Sequence, residues 1–346
     1  MNRINKSILY IISIAAVIGC AKIEGEGTNV ANKRFFDAWI SVNHPKAEKT
    51  DLGVYIIEKQ DGTGAEVKED GYAIVEFTAT DLDGNITSYT GKEVAKQLGT
   101  YDTTTYYGPQ VWLTQDETIQ AGIQNAIVGM KVGGRKKVAI PSWLMTYSSY
   151  STEKEYLNHS SDYSNAIYDF TVVDYADDIN TWQIQKMQTY MTENYGGYDT
   201  FENDTTGFYF KQLAPKTETE KEFNADTTIY INYTGKLLSG LVFDTTYERV
   251  AKDNGLYDAS RTYEPVSITW ASEYSSITMG SSSSSVIDGF ARTLWNMRNM
   301  GEEGKYDKAV GIFYSPLGYG YSGSGASIPP YAPLVFEIEI VAEPEE

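Results

Sequence analysis

Cysteine is almost absent from this chain: Cys20 is the only one in 346 residues. That excludes a disulfide framework within the chain and any cysteine-rich metal site. Histidine is scarce as well. His44 and His159 are too few and too far apart for a typical zinc site or histidine-based catalytic centre. Basic residues are outnumbered, 28 Lys and Arg against 47 Asp and Glu, for a net charge of −19. Phosphate binding needs positive charge, so this balance argues against a nucleic-acid partner. Beyond residue 20 no apolar run is long enough to cross a bilayer. What the chain does have is a hydrophobic fraction of 41%, enough for packed cores, and a length that suits two compact domains better than one. It also has 28 tyrosines, which suit exposed strands and the stacking of peptides or sugars.

Arg3 and Lys6 give the chain a basic start, and residues 8–19 are mainly apolar or small. That is the length of a secretory signal core and too short for a membrane span. The run Val17-Ile18-Gly19-Cys20 resembles the lipobox of bacterial lipoproteins. The resemblance implies cleavage before Cys20, acylation of that cysteine, and a mature charge of 26 − 47 = −21. It also implies a lipid anchor in a membrane of the bacterial cell envelope, with the outer membrane as the expected address. An ordinary signal peptide with an incidental cysteine is the alternative. Residues 21–50 then read as a polar tether followed by a short helix.

That helix is marked by Phe35, Phe36, Trp39 and Ile40 at helical spacing and is closed by His44-Pro45. A second helix is expected from about Asp178 to Tyr195. Its stripe is Ile184, Met187, Met191 and Tyr195, and Gly196-Gly197 stops it. Each helix is followed by the same pattern, an internal repeat. Gly53-Val54-Tyr55-Ile56 corresponds to Gly207-Phe208-Tyr209-Phe210, and residues 75–79 correspond to 231–235. Alternation in the last strand turns Leu334, Phe336, Ile338 and Ile340 one way and Glu337 and Glu339 the other. A short helix carries Val286, Phe290, Leu294 and Met297 in the second half, with Ile119, Ile123 and Ile127 as its counterpart in the first. Each half is therefore expected to be an α+β unit, an antiparallel sheet with one short helix. The expected boundaries are 51–175 and 207–346, joined by a linker helix within 176–206. Asp81-Leu82-Asp83-Gly84-Asn85 has some calcium-loop character but reads as a hairpin turn. Residues 318–323 fit G-x-G-x-x-G, but no helix is expected after them, so the dinucleotide reading fails.

The second half carries a longer series in fixed order: Tyr233-Thr234-Gly235, Phe243-Asp244-Thr245-Thr246, Val286-Ile287-Asp288-Gly289-Phe290, Pro316-Leu317-Gly318-Tyr319-Gly320 and Ile328-Pro329-Pro330 running into Phe336. This series resembles the FKBP-type peptidyl-prolyl cis–trans isomerases over about residues 207–342. The first half resembles them in outline only. The resemblance implies two FKBP-like domains, each an antiparallel sheet wrapped on a short helix. The activity it implies is isomerisation of X–Pro bonds by the second, in the folding of exported proteins. Proline-containing polypeptides would be the partners, macrolides the inhibitors, and no cofactor or metal would be needed. A non-catalytic surface lipoprotein that binds peptides or glycans is the alternative.

Position by position, the resemblance implies that Tyr233, Phe243, Phe290 and Phe336 wall and floor a proline pocket. Val286 and Ile287 line its helix side, and the Ile287 N–H meets a substrate carbonyl. Tyr319 donates its phenol, Asp244 supplies a polar edge, and Ile328 closes the mouth. Three departures stand out: Phe290 where the family has tryptophan, Ser324 and Ser327 where larger residues are usual, and an insertion at residues 248–263 near the rim. In the first half Phe77 lacks the hydroxyl, Tyr89-Thr90 is expected in the place of Phe-Asp, and no Ile-Pro-Pro loop appears. That half is expected to be structural or substrate-holding.

Overall fold

Burial alternates residue by residue along Thr228–Leu237, with Ile229, Ile231, Tyr233 and Leu237 turned inward. A strand with that period has one packed face, and its register is fixed by it. The computed structural model, which describes residues 27–344 except 116–117, 148–149, 162, 214–221 and 299–306, places this strand at the centre of an antiparallel sheet. Cys20 and the signal segment 1–20 lie outside the described residues.

Leu334–Val341 pairs with the central strand from Tyr230↔Val341 to Leu237↔Leu334. On that side the sheet continues through Lys308–Phe313 and Phe208–Gln212 to Glu202–Thr205. On the other side lie Val242–Thr245 and Val266–Thr269. The first half builds the same order from Tyr55–Gln60, Arg135–Ile140, Ala166–Ala176 and the central Tyr72–Thr80, with Ile86–Tyr89 and Gln110–Leu113 at the far edge. The repeat read in the sequence is thus a repeat of topology, two α+β domains in one chain.

Helices cover both faces of each sheet. Asp288–Asn296 buries Phe290 and Leu294 on the concave face of the second, and Ala121–Ile127 buries Ile123 and Ile127 in the first. On the outer faces, Thr28–Asn43 packs Phe36 and Ile40 against Ala139 and Ile167. Phe35, expected on that stripe, lies off the i, i+4 contact line and is 53% exposed. Ile179–Tyr195 packs Met187 and Met191 against Val310, Ile312 and Val335 of the second sheet. The Asp178 carboxylate caps its start by accepting from the Thr181 N–H at 2.6 Å, and Gly196, at φ 82°, ends it in the left-handed region. At Asp81 the carboxylate accepts from the N–H groups of Asp83 and Asn85 at 3.0 and 2.9 Å, closing the expected hairpin turn.

A second repeat is visible only in three dimensions. Each domain inserts a flap, a short helix followed by a tyrosine-bounded turn. The helices are Lys92–Leu98 and Glu248–Asp253. In the turns the Asp102 and Asp258 carboxylates accept from the N–H groups of Thr104 and Ser260, both at 2.8 Å. The phenols of Tyr107 and Tyr263 accept from the Asp102 and Asp258 N–H groups at 3.1 and 3.0 Å. Tyr101 stacks on Tyr107 and Tyr257 on Tyr263, each with centroids 5.6 Å apart. The insertion at 248–263 is therefore one of a pair, not a feature of the second domain alone.

Candidate active site

The pocket of the second domain starts from a missing side chain. Gly235 lies on the central strand between two aromatic rings. A Cβ there would come within 2.6 Å of Phe243 and 2.8 Å of Phe336. Opposite it the ladder shifts register between Gly235 and Lys236, leaving Phe243 in a bulge that turns its ring inward. Phe336 is the direct partner of Gly235 on the neighbouring strand. Phe290 rises from the covering helix and meets Phe336 edge-on at 5.1 Å and 80°, and Tyr233 at 5.6 Å and 79°. Phe243 meets Phe336 edge-on at 5.5 Å. Edge-to-face packing of this kind fixes ring orientation as well as burying area.

These four aromatics line a single cavity of about 340 Å³ together with Asp244, Val286, Ile287, Tyr319 and Ile328. The structure thus brings together every pocket residue singled out in the sequence. Ile287 is the N-cap of the helix, and its backbone lies at the rim. Ile328 is almost fully buried, held by a closed loop in which the Ser324 N–H donates to the Ile328 carbonyl at 2.8 Å and the Ile328 N–H to the Ser324 carbonyl at 3.1 Å. Ser324 and Ser327 also line the cavity, as do Met279 and Ser285.

The polar edge is a network around Asp244. Its carboxylate accepts from the Tyr233 phenol at 2.5 Å, from Arg261 Nη1 at 2.7 Å and from the Thr245 N–H at 2.9 Å. Burial, with the Asp244 charge, pushes the Tyr233 phenol well above its ordinary value, so it stays a proton-bearing donor. Burial lowers the Arg261 pKa but is outweighed by the hydrogen bond to Asp244 and its charge, and the net shift is upward. The Tyr319 phenol is also raised, by burial and by Asp244. It makes no hydrogen bond among the described residues and is free to meet a ligand. Arg261 escaped the sequence reading because it comes from the inserted flap. Matching 248–263 to 92–107 would have exposed the flap, and with it Arg261, a cation that the first flap lacks at the matching position, Thr105.

The first domain keeps a hollow at the same place but changes its chemistry. About 890 Å³ is lined by Phe77, Trp112, Ile119, Gln120, Ile123 and Tyr168, with Tyr321 and Tyr331 of the second domain on its rim. Tyr168 pairs with Ala79 as Phe336 pairs with Gly235. The expectation that Tyr89-Thr90 replaces Phe-Asp is corrected by the register. Thr90 accepts the Phe77 N–H at 2.9 Å, as Thr246 accepts that of Tyr233 at 2.9 Å. Ser88 pairs with Ala79 as Asp244 pairs with Gly235. Thr87 and Ser88 therefore stand in the places of Phe243 and Asp244, so these two register positions bring neither a phenyl ring nor a carboxylate.

Residues 219–341 match the family model described as FKBP-type peptidyl-prolyl cis-trans isomerase. A probable FKBP-type peptidyl-prolyl cis-trans isomerase of Haemophilus influenzae is 29% identical over 137 residues, which are 39% of this chain and 42% of that protein. The chain thus spans less than half the length of this relative. Among solved structures, FkpA from Escherichia coli aligns at 20% identity over 47% of this chain and 62% of its own, with a TM-score of 0.30. The three FKBP domains of wheat FKBP73 align at 16% identity over 84% of this chain and 95% of that one, with a TM-score of 0.28.

Proposed function

We propose, from the match of residues 219–341 to the FKBP-type peptidyl-prolyl cis–trans isomerase family model, that this chain isomerises X–Pro bonds in the pocket of its second domain, residues 207–346. The observation that carries the reading is the convergence of the four aromatics, Asp244 and Tyr319 on one small cavity. Rotation about a peptide bond must overcome a barrier of about 18–20 kcal/mol set by amide resonance. No bond is made or broken, so the site has only to favour the twisted amide over the planar one. The twisted amide is the less polar of the two, because nitrogen and carbonyl no longer share electrons. An apolar pocket walled by Tyr233, Phe243, Phe290 and Phe336 removes water from both and disfavours the planar form more. The Ile287 N–H and the Tyr319 phenol then hold substrate carbonyls in the rotated arrangement. Each ~1.4 kcal/mol of such preference is a tenfold gain in rate. Asp244 holds Tyr233 and Arg261 in place and takes no proton in this scheme.

In the cell, the reading is a folding catalyst for exported proteins, lipid-anchored at Cys20 to the bacterial envelope. Its first domain, 51–175, is non-catalytic. The decisive experiment is a proline-isomerisation assay on the full chain without its signal segment. Activity that a macrolide ligand of the family suppresses is the expected result. Peptide or glycan binding with no isomerisation would move the protein to the class of surface binding lipoproteins. For the anchor, Cys20→Ser should leave the protein uncleaved or in the soluble exported fraction, because the thiol is the acyl acceptor. A Cys20→Ser chain cut at the same place and still wholly membrane-bound would exclude lipidation there.

A further inference from the structure

One loop of the second domain, residues 319–331, supplies Tyr319, Ser324, Ser327 and Ile328 to the pocket. Three of its glycines, Gly320, Gly323 and Gly325, sit at φ between 55° and 64°. A loop so rich in glycine loses much conformational freedom when it is ordered, and something must offset that loss. Its Ser324–Ile328 closure leaves the Ala326 carbonyl at the tip, and the partner of that carbonyl comes from the other domain. The Tyr106 N–H, in the first flap, donates to it at 2.8 Å. The Tyr106 ring packs against the second domain's core, while its phenol donates to the Pro109 carbonyl at 3.1 Å.

Two further contacts link the first domain to this loop and to the second flap. Tyr72 meets Tyr331, at the far end of the loop, edge-on at 5.5 Å. Gly255 of the second flap lies so close to Thr103 of the first that a Cβ on it would fall 2.2 Å from the Thr103 hydroxyl. That second flap is the one that carries Arg261 to Asp244 at 2.7 Å. The paired flaps share a frame, and they diverge at their tips. Arg261 stands opposite Thr105, and Tyr106 opposite Thr262. One flap sends Arg261 to Asp244 at the edge of its own domain's pocket, and the other sends Tyr106 onto the neighbouring domain.

From this arrangement we infer that the first domain pre-organises the second domain's pocket, and that Tyr106 is the positioning residue through which it does so. The inference rests on the isomerase reading above. A loop latched from outside reaches its binding-competent form at a smaller entropic cost. Coupling of this kind is reciprocal, so a ligand in the pocket must strengthen the latch.

The test uses the full chain without its signal segment and a short Leu-Pro peptide as substrate and probe. Tyr106→Ala keeps the backbone N–H but removes the ring that seats it against the second domain's core, so it should lower kcat/KM about fivefold, mainly through a higher KM, because the loop is ordered at binding. Tyr106→Phe, which keeps the ring, should restore the wild-type value. In the wild type, hydrogen exchange at the Tyr106 amide should slow about fivefold when saturating peptide is added, a response that a merely structural contact would not give. A folded Tyr106→Ala with unchanged kcat/KM, or a Tyr106 amide indifferent to peptide, overturns the inference and leaves the isomerase reading standing. Should Tyr106→Ala fail to fold, the exchange measurement on the wild type decides. A wild-type chain with no isomerase activity removes the reading and this inference together.

Discussion

Tyr319 and Tyr233 are both phenols raised above their ordinary pKa by burial, yet they have different work. Tyr233 is committed to Asp244, whereas the Tyr319 hydroxyl lines the cavity with no hydrogen-bond partner among the described residues. Tyr319→Phe deletes one hydrogen bond and keeps the ring, so a loss of about 1 kcal/mol, several-fold in rate, is expected in the isomerisation assay. Both phenols stay protonated through neutral pH and no histidine lines the cavity, so the rate should be flat from about pH 6 to 8. A bell-shaped profile, or full activity in a folded Tyr319→Phe, would mean that the pocket works by proton transfer or by other contacts. Away from the pocket, Glu337 is the residue that should set acid stability. Burial would raise its pKa, but hydrogen bonds from Lys236 at 2.8 Å and Lys308 at 3.0 Å outweigh it and bring the value down from 4.5 to about 2. A carboxylate whose folded pKa is depressed stabilises the fold above its unfolded pKa and loses that contribution as pH falls toward the folded one. Glu337 should therefore contribute up to ~3 kcal/mol at neutral pH, disappearing between about pH 4.5 and 2. Acid titrations followed by circular dichroism should show a shallower loss in Glu337→Gln; an identical acid limb would exclude the role.

At the scale of elements, what could be read from the sequence was whatever its local pattern determines. Strand alternation in 228–237 and 334–341, and the Met187–Met191 stripe with its Asp178 and Gly196 ends, match the observed elements because periodicity and capping act within a few residues. The pocket side chains were legible for another reason: the ordered series they belong to resembles the FKBP-type isomerases, and the resemblance carried them over position by position. Arg261 was not, since its approach to Asp244 spans 17 residues of chain and depends on how the flap folds back. The slip of Tyr89-Thr90 came from the same cause. Bulges between Ala79 and Thr80, and between Gly235 and Lys236, decide which residue faces the pocket, and no composition rule announces them. The linker helix offers a test of packing at this scale. Met187 is fully buried between that helix and Val310, Ile312 and Val335. Met187→Ala should lower the unfolding free energy by about 2–5 kcal/mol in denaturant titrations, with the per-molecule isomerase rate of the folded fraction unchanged. A drop below about 1 kcal/mol would show that the helix is not held by this contact.

The whole molecule is a duplicated design in which the two copies have diverged where ligand chemistry would be done. Both sheets have the same order, both carry a helix on each face, and both insert a flap. The second copy places Phe243 and Asp244 at its bulge, while the first places Thr87 and Ser88. That contrast makes Asp244→Ser an internal transplant, since it gives the second pocket the first domain's residue at the same register position. The substitution leaves the Tyr233 phenol and the Arg261 guanidinium without the carboxylate that holds them at 2.5 and 2.7 Å. Hydrogen bonds to a charged group contribute about 1.5–3 kcal/mol each, and only part of that bears on the rotating amide. A fall of about tenfold or more in kcat/KM is expected for the full chain, with no compensating activity from the first domain. The reverse change, Ser88→Asp, should add nothing to that rate, because Phe77 offers no phenol for the new carboxylate and Thr87 no aromatic wall. Isomerisation by the full chain that survives Asp244→Ser at the wild-type level would place the activity outside the second pocket, and with it would go the asymmetry between the copies on which the division of labour depends.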